Sequence, residues 1–363
     1  MKGKNELFLL VVGFLLLIFD VITDILVAVH YGLKGEYSWF GLTLLFIILP
    51  LFIVSFIATN QTEEGFCENA SCCLLCSAIF VRYVQEFAHW WRTYRSIPSC
   101  GGNCENLDCE ECQKYQSAMK ESKKSAYNFA WIRYVQTLTE STPQWCLQMY
   151  VMLRHWDFPW YTLISVVFSL LSLSWSTTTL EKARINKQGQ NFKLPATVVF
   201  FTCQLLSLLS RLFVIVAFAY VFEEHVFTAL AIHWLVAHLI SWSIGLRRDE
   251  CKCDVIALFF LYIVFCFPFL FHVTDMLTKT FSKQRTINFL LQSLIAVENV
   301  SLVILAVAIP KHQVTHVTEL KIIVLPLVVI SLVLAIILLT LYNKYFRPTG
   351  KRRDKTQQVT VWL

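Results

Sequence analysis

Ionisable side chains recur at helical spacing inside long apolar runs of this 363-residue chain. Asp20 and Asp24 stand four residues apart and so share one helix face. Arg82 and Glu86 repeat that spacing, with His89 one turn further on. Arg133 and Glu140, seven apart, also share a face. Arg211 sits near the middle of another run, and Glu298 stands beside a row formed by Asn288, Gln292 and Asn299. Groups of this kind can form ion pairs that hold helices in register, relay a proton or cation, or offer successive polar contacts to a charged lipid headgroup whose tails stay in hydrocarbon. An ionised side chain at the bilayer centre costs about 2.5–3.5 kcal/mol on insertion scales. Set against lipid, the whole group would cost on the order of 20 kcal/mol, more than the net stability of a typical fold. The charges are therefore expected to face inward, with Asp20, Asp24, Glu86, Glu140 and Glu298 available to pair with Arg82, Arg133 and Arg211. Small residues alone can hold a helical bundle together, so this many charges favours a polar path for the set as a whole. No Walker A, HExxH or GxSxG motif is present. His233 and His238, five apart, do not share a face and make a poor metal pair. Neither enzymatic chemistry, a cofactor, a metal nor a nucleic-acid partner is expected.

The elements that position these residues are membrane helices. Hydrophobic residues make up 56% of the chain, which points to the bilayer as solvent. Apolar runs of about the length that spans a hydrocarbon core occur near 7–30, 39–59, 72–92, 127–154, 161–181, 195–222, 225–246, 253–275, 285–309 and 320–346. Backbone groups in lipid need internal partners, so an all-α polytopic fold follows. Lysine and arginine concentrate before the first run, in 93–126 and 182–194, at Arg247–Lys252 and in the tail, and all five sites belong on the cytoplasmic side. Ten plain crossings cannot satisfy that. The expectation is about eight transmembrane helices plus two re-entrant segments, the third run with its charges and the eighth with Pro268, and both termini in the cytoplasm. The dips fall third in each group of five, giving two pseudo-symmetric halves, 1–194 and 195–346, followed by a basic tail, 347–363. The loop 60–71 carries two glycosylation sequons, at Asn60 and Asn69, yet this topology places it in the cytoplasm. Cys100, Cys104, Cys109 and Cys112 are spaced more tightly than a two-knuckle zinc site and are read as part of a loop, with zinc ligation as the alternative. Cys72, Cys73 and Cys76 are read as small packing residues, with acylation as the alternative.

The stretch TESTPQWCLQMYVML, Thr139–Leu153, carries an E-x-x-P-Q-x-x-L-Q-x-Y pattern and resembles the signature of the XK-related membrane proteins. The N-terminal FDVITDILVAVHYGLKGEYSWFGLTLLFIILP and the IRYVQTLTE before the signature resemble the same family, and the likeness covers about residues 7–346. Overall size is similar to the shorter, apoptosis-linked members. The resemblance implies an energy-independent phospholipid scramblase that exposes phosphatidylserine at the plasma membrane, with charged residues in the bilayer forming the lipid path. The matching positions are Asp20, Asp24, Arg133 and Glu140, with Arg184 and Arg211 as looser matches. Glu140 is then expected to pair with Arg133 or Arg82, while Pro143, Gln144 and Gln148 form a polar break in their helix. The resemblance also implies that the chain can pair with a single-span partner, either an immunoglobulin-like chaperone or a peptidase. The tail departs from the apoptotic pattern. Its one aspartate, Asp354, follows KRR rather than the residues caspases favour, so Thr349, Thr356 and Thr360 become candidate regulatory sites. The terminal Val-Trp-Leu is a weak candidate PDZ ligand. A solute or ion transporter, or a scaffold for a peptidase or lipid-transfer protein, are the rival readings.

Overall fold

The computed structural model describes residues 2–60, 78–92, 110–245, 270–271, 284–308 and 317–347. All regular structure among them is helical. In chain order these are α1 (Lys2–Leu33), α2 (Tyr37–Asn60), α3 (Ala78–Trp91), α4 (Glu110–Thr139), α5 (Ser141–His155), α6 (Trp160–Lys187), α7 (Leu194–Phe222), α8 (His225–Gly245), α9 (Gln284–Ala308) and α10 (Val317–Leu341). A π-helical turn, Tyr342–Phe346, follows α10. Six of the described helices, α1, α2, α6, α7, α9 and α10, contain stretches long and apolar enough to cross a membrane. The chain is therefore a multi-pass membrane protein.

Burial separates the helices into a centre and a periphery. Over their most apolar stretches α6 and α7 are 61% and 56% buried, against 22% for α10. The two central helices consequently need not be apolar all round, and α6 is the one that carries a row of serines. The largest apolar core joins α4, α5, α6 and α7 to α8, α9 and α10. A second, smaller core of Leu17, Val54, Ile79, Tyr83 and Ile132 ties α1, α2, α3 and α4. On α1 one face carries Phe19, Ile22 and Leu26, all about half exposed, and the other carries Leu17, Asp20, Asp24 and Val27, all buried. The turn from α1 into α2 depends on Gly35, whose φ of 75° is costly for any side chain with a Cβ.

The run 127–154, read from sequence as a single span, is two helices. α4 extends far into the polar segment before it, and α5 begins at Ser141. The break falls at Glu140, not at Gln144 or Gln148. Pro143 has no N–H to bond the carbonyl of Thr139, and its ring crowds that carbonyl, so the continuous ladder fails one turn ahead of it. Pro143 itself sits in the first turn of α5, where a missing N–H costs nothing. The described helix of the third run, α3, has 14 residues. At 1.5 Å per residue it is about 21 Å long, short of the ~30 Å hydrocarbon core. The eighth run lies outside the described residues apart from Leu270 and Phe271. So do the loop after Asn60, Cys72, Cys73 and Cys76, and the tail with Thr349, Asp354, Thr356 and Thr360. Of the four cysteines at 100–112, only Cys112 falls in a described element, the start of α4.

Candidate functional site: a buried polar spine and an arginine clasp

The inward face of α1 lies along the serine row of α6. Ser169 donates to Asp20 Oδ1 at 2.7 Å, and Ser165 donates to Asp24 Oδ1 at 2.6 Å. Both pairs are four residues apart on antiparallel helices, so one register satisfies both contacts. α5 closes the site from the side. Ser141 donates to Asp20 Oδ2 at 2.7 Å, and Gln148 Nε2 donates to Asp24 Oδ1 at 3.0 Å. Gln144 Nε2 reaches across to the Thr43 carbonyl on α2 at 2.8 Å. Thus Gln144 and Gln148, expected to break a helix, cross-link one instead. All of these side chains are buried.

Arg133, on α4, continues the spine. Its Nε donates to Tyr83 Oη at 3.1 Å, its Nη1 to Gln136 Oε1 at 2.7 Å and its Nη2 to Ser172 Oγ at 3.1 Å. Gln136 then donates from Nε2 to Glu140 Oε2 at 3.0 Å. The expected ion pair between Glu140 and Arg133 or Arg82 is therefore not formed directly. Glu140 meets Arg133 through an amide, because Gln136 lies between them on the same helix face. Arg82 donates to Gln85 at the exposed side of α3, 3.2 Å away. Glu86 accepts from Ser125 of α4. Arg184 makes a two-pronged contact with Glu181 one turn earlier on α6, the Nε bond being 2.8 Å.

Three carboxyl groups and one guanidinium thus share the spine, and hydroxyls and amides supply the remaining donors. Some acceptors are left over. Asp24 Oδ2, Glu140 Oε1, Gln144 Oε1 and Gln148 Oε1 are buried without a hydrogen-bond partner among the described residues. Buried acceptors of this kind are costly unless something donates to them. On α6 the buried polar positions run from Thr162 to Arg184, about 33 Å at 1.5 Å per residue, comparable to the ~30 Å hydrocarbon core. No group of three or more His, Cys, Asp or Glu among the described residues sits where it could share a metal ion.

A second polar centre lies in the C-terminal half. Arg211 on α7 is fully buried. It donates from Nε to the Leu270 carbonyl at 2.9 Å and from Nη1 to Asn299 Oδ1 at 2.8 Å, and its Nη2 lies 3.0 Å from Glu298 Oε2. His233 Nδ1 of α8 meets the same carboxylate oxygen. The clasp joins α7, α8, α9 and the segment around Leu270, and its parts come from side chains far apart in sequence.

Sequence reading missed Gln136, Tyr83, Glu181 and the serines. A signal for the last existed: Ser165, Ser169, Ser172 and Ser176 recur every three or four residues, so they line one face of an otherwise apolar helix. The role of His233 had no such signal, because Glu298 is its partner only through tertiary packing.

A family profile described as XK-related protein matches residues 8–348. Among curated relatives, the chain is 24% identical over 249 residues to "XK-related protein 8" of Pan troglodytes, covering 66% of this chain and 60% of that protein. It is 24% identical over 271 residues to "XK-related protein 9" of Tetraodon nigroviridis, covering 69% of this chain and 67% of that protein. The match to "XK-related protein 8" of Tetraodon nigroviridis is 23% over 259 residues, covering 64% of this chain and 58% of that protein.

Proposed function

From the premise that this chain belongs to the XK-related family, we propose that it is an energy-independent phospholipid scramblase. The observation that carries the reading is the row of buried carboxyl, amide and hydroxyl groups along α1 and α6, with acceptors still unmatched. A phospholipid crosses slowly because its charged head must enter hydrocarbon, while its tails raise no objection. Polar groups spaced through the bilayer replace water for the head stage by stage, and no covalent step or energy source is needed. The unmatched oxygens of Asp24, Glu140, Gln144 and Gln148 suit the ammonium and hydroxyl donors of common headgroups. Extended along the family resemblance, the activity exposes phosphatidylserine at the plasma membrane in dying cells. Both termini then face the cytoplasm, the tail 347–363 holds the protein inactive, and an immunoglobulin-like chaperone accompanies it.

The test is the purified full chain and a chain ending at Arg347, each in vesicles carrying a fluorescent lipid in both leaflets. Bleaching of the inner-leaflet label at a rate above protein-free vesicles is expected, faster for the truncated chain. Failure of both folded forms overturns the proposal. Cation or solute flux without lipid movement would assign the acidic spine to transport instead. A stoichiometric partner with no movement of either kind would make the chain a scaffold.

A further inference from the structure

Asp20 and Asp24 are equivalent in spacing, yet their neighbours treat them differently. Both oxygens of Asp20 accept, Oδ1 from Ser169 and Oδ2 from Ser141, each at 2.7 Å. Asp24 takes both of its donors on Oδ1, from Ser165 at 2.6 Å and from Gln148 Nε2 at 3.0 Å. Its Oδ2 is buried with no partner among the described residues, and so is Oε1 of the same Gln148 amide. Two acceptors are thus left over on two planar groups that one N–H already joins. Neither can satisfy the other, and each is costly until a donor reaches it. One proton on Asp24 Oδ2 supplies that donor. The pair then becomes an acid–amide dimer, in which the amide N–H donates to one carboxyl oxygen and the acid O–H donates to the amide oxygen.

Charge selects the same aspartate. The cation of the spine, Arg133 on α4, reaches Ser172 of α6 at 3.1 Å. Ser172 is three residues from Ser169 and seven from Ser165. Along the axis the guanidinium therefore stands about 4.5 Å from the level of Asp20 and about 10.5 Å from that of Asp24. Asp20 is one turn from Asp24, about 6 Å, so an ionised Asp24 would have a like charge nearer than the cation. Glu140, at the head of α5, shares that cation through Gln136. The charged groups facing Asp24 are both carboxyls, Asp20 and Glu140. α2 has no Asp, Glu, Lys, Arg or His. On α5, Arg154 lies at the exposed side and donates to Tyr150. On α6, Tyr161 lies one turn from Ser165, its ring 4.5 Å from that of His30. We infer that Asp24 holds a proton on Oδ2 and donates it to Gln148 Oε1, while Asp20 is the carboxylate that Arg133 and the serines balance. The proton occupies this oxygen pair until a guest brings a donor of its own, and removing it would leave a further uncompensated carboxylate inside the bundle. The claim concerns the resting protein and stands whether or not the chain scrambles lipid.

The experiment is infrared spectroscopy of the full chain at neutral pH, in a detergent free of ester and carboxyl groups. A protonated carboxyl gives a C=O stretch above the amide I band, and that stretch moves down in D2O. Such a band is expected in the parent and lost in Asp24→Asn. In Gln148→Met it should persist at higher frequency, because the acid has lost both amide partners; an ionised Asp24 gives no band there. Gln148→Met therefore decides the matter even where Asp24→Asn fails to fold. Melting is the second readout. Asn at position 24 keeps the pattern of the acid, its N–H donating to Gln148 Oε1, so Asp24→Asn should melt with the parent at neutral pH. Asp20→Asn, which removes the carboxylate balancing Arg133, should melt lower. The folded chain holds one proton more than the unfolded chain, so the parent loses stability as pH rises past neutrality, and Asp24→Asn loses less. Absence of a D2O-sensitive band in the parent, or a band unchanged in Asp24→Asn, overturns the proposal. A metal cation on these oxygens in place of the proton gives no band and a melting temperature that depends on the salt cation supplied, and that result overturns it as well.

Discussion

Replacing Arg211 by methionine removes a cation that ties α7 to α9 and to the Leu270 carbonyl. The arginine gives up bonds of 2.9 Å to the Leu270 carbonyl and 2.8 Å to Asn299, and a 3.0 Å contact with Glu298. Interhelical polar contacts in membrane proteins average about 0.6 kcal/mol each, so three of them set a floor near 2 kcal/mol. The larger cost is what stays behind. Glu298, whose side chain is 15% exposed, keeps the His233 imidazole beside it in the clasp, and removing one member of a buried ion pair typically costs 3–5 kcal/mol. Slight access to the surface trims that, and about 3 kcal/mol is expected. Methionine fills much of the volume, so a cavity contributes little. The measurement is unfolding in mixed micelles for Arg211→Met, Glu298→Gln and the double variant. Because the two residues touch, the double variant should be more stable than the summed singles imply by at least ~1.5 kcal/mol. A loss below about 1 kcal/mol for Arg211→Met, or strict additivity, would refute the idea that this clasp is a coupled buried unit.

Ser165→Ala/Ser169→Ala leaves Asp24 and Asp20 each short of a donor and should cost about 1–3 kcal/mol per carboxylate. Ser174→Ala, whose hydroxyl among the described residues bonds only the Leu170 carbonyl of its own helix at 2.8 Å, should melt within about 0.5 kcal/mol of the parent. Gln136→Leu strands Arg133 Nη1 and Glu140 Oε2 together, so both melting temperature and vesicle scrambling should drop, and normal values for both would remove Gln136 from the spine. At the α1–α2 turn, Gly35→Val should lose about 1–2 kcal/mol because its φ of 75° crowds a Cβ. Gly41→Ala, with open space around its Cα on a helix, should instead gain roughly 0.5–1 kcal/mol in the same melts.

The helices were legible because each had to satisfy its own backbone in hydrocarbon, and an apolar run of the right length records that demand directly. Asp20 and Asp24 were legible for a related reason: a charge within such a run must turn away from lipid, and their spacing fixes a common face. Partners were not legible to the same degree. Glu140 meets Arg133 through Gln136, an uncharged side chain that carries no cost signal in the sequence. Glu298 meets Arg211 and His233 because α7, α8 and α9 pack together, and no local spacing encodes that. The break lies at Glu140 and not at the amides, since a proline acts on the carbonyl four residues before it and not on the side chains that follow.

The donors facing Asp20 and Asp24 are mostly serine hydroxyls, and a hydroxyl is a rotor. Each can swing from its carboxylate to a passing guest and back by turning about a single torsion, with no backbone displacement. The guanidinium of Arg211 has no such freedom, because moving it would release the Leu270 carbonyl, Asn299 and Glu298 at once. The serine contacts of α6 can therefore readjust one atom at a time, whereas the contacts of Arg211 can only be given up together.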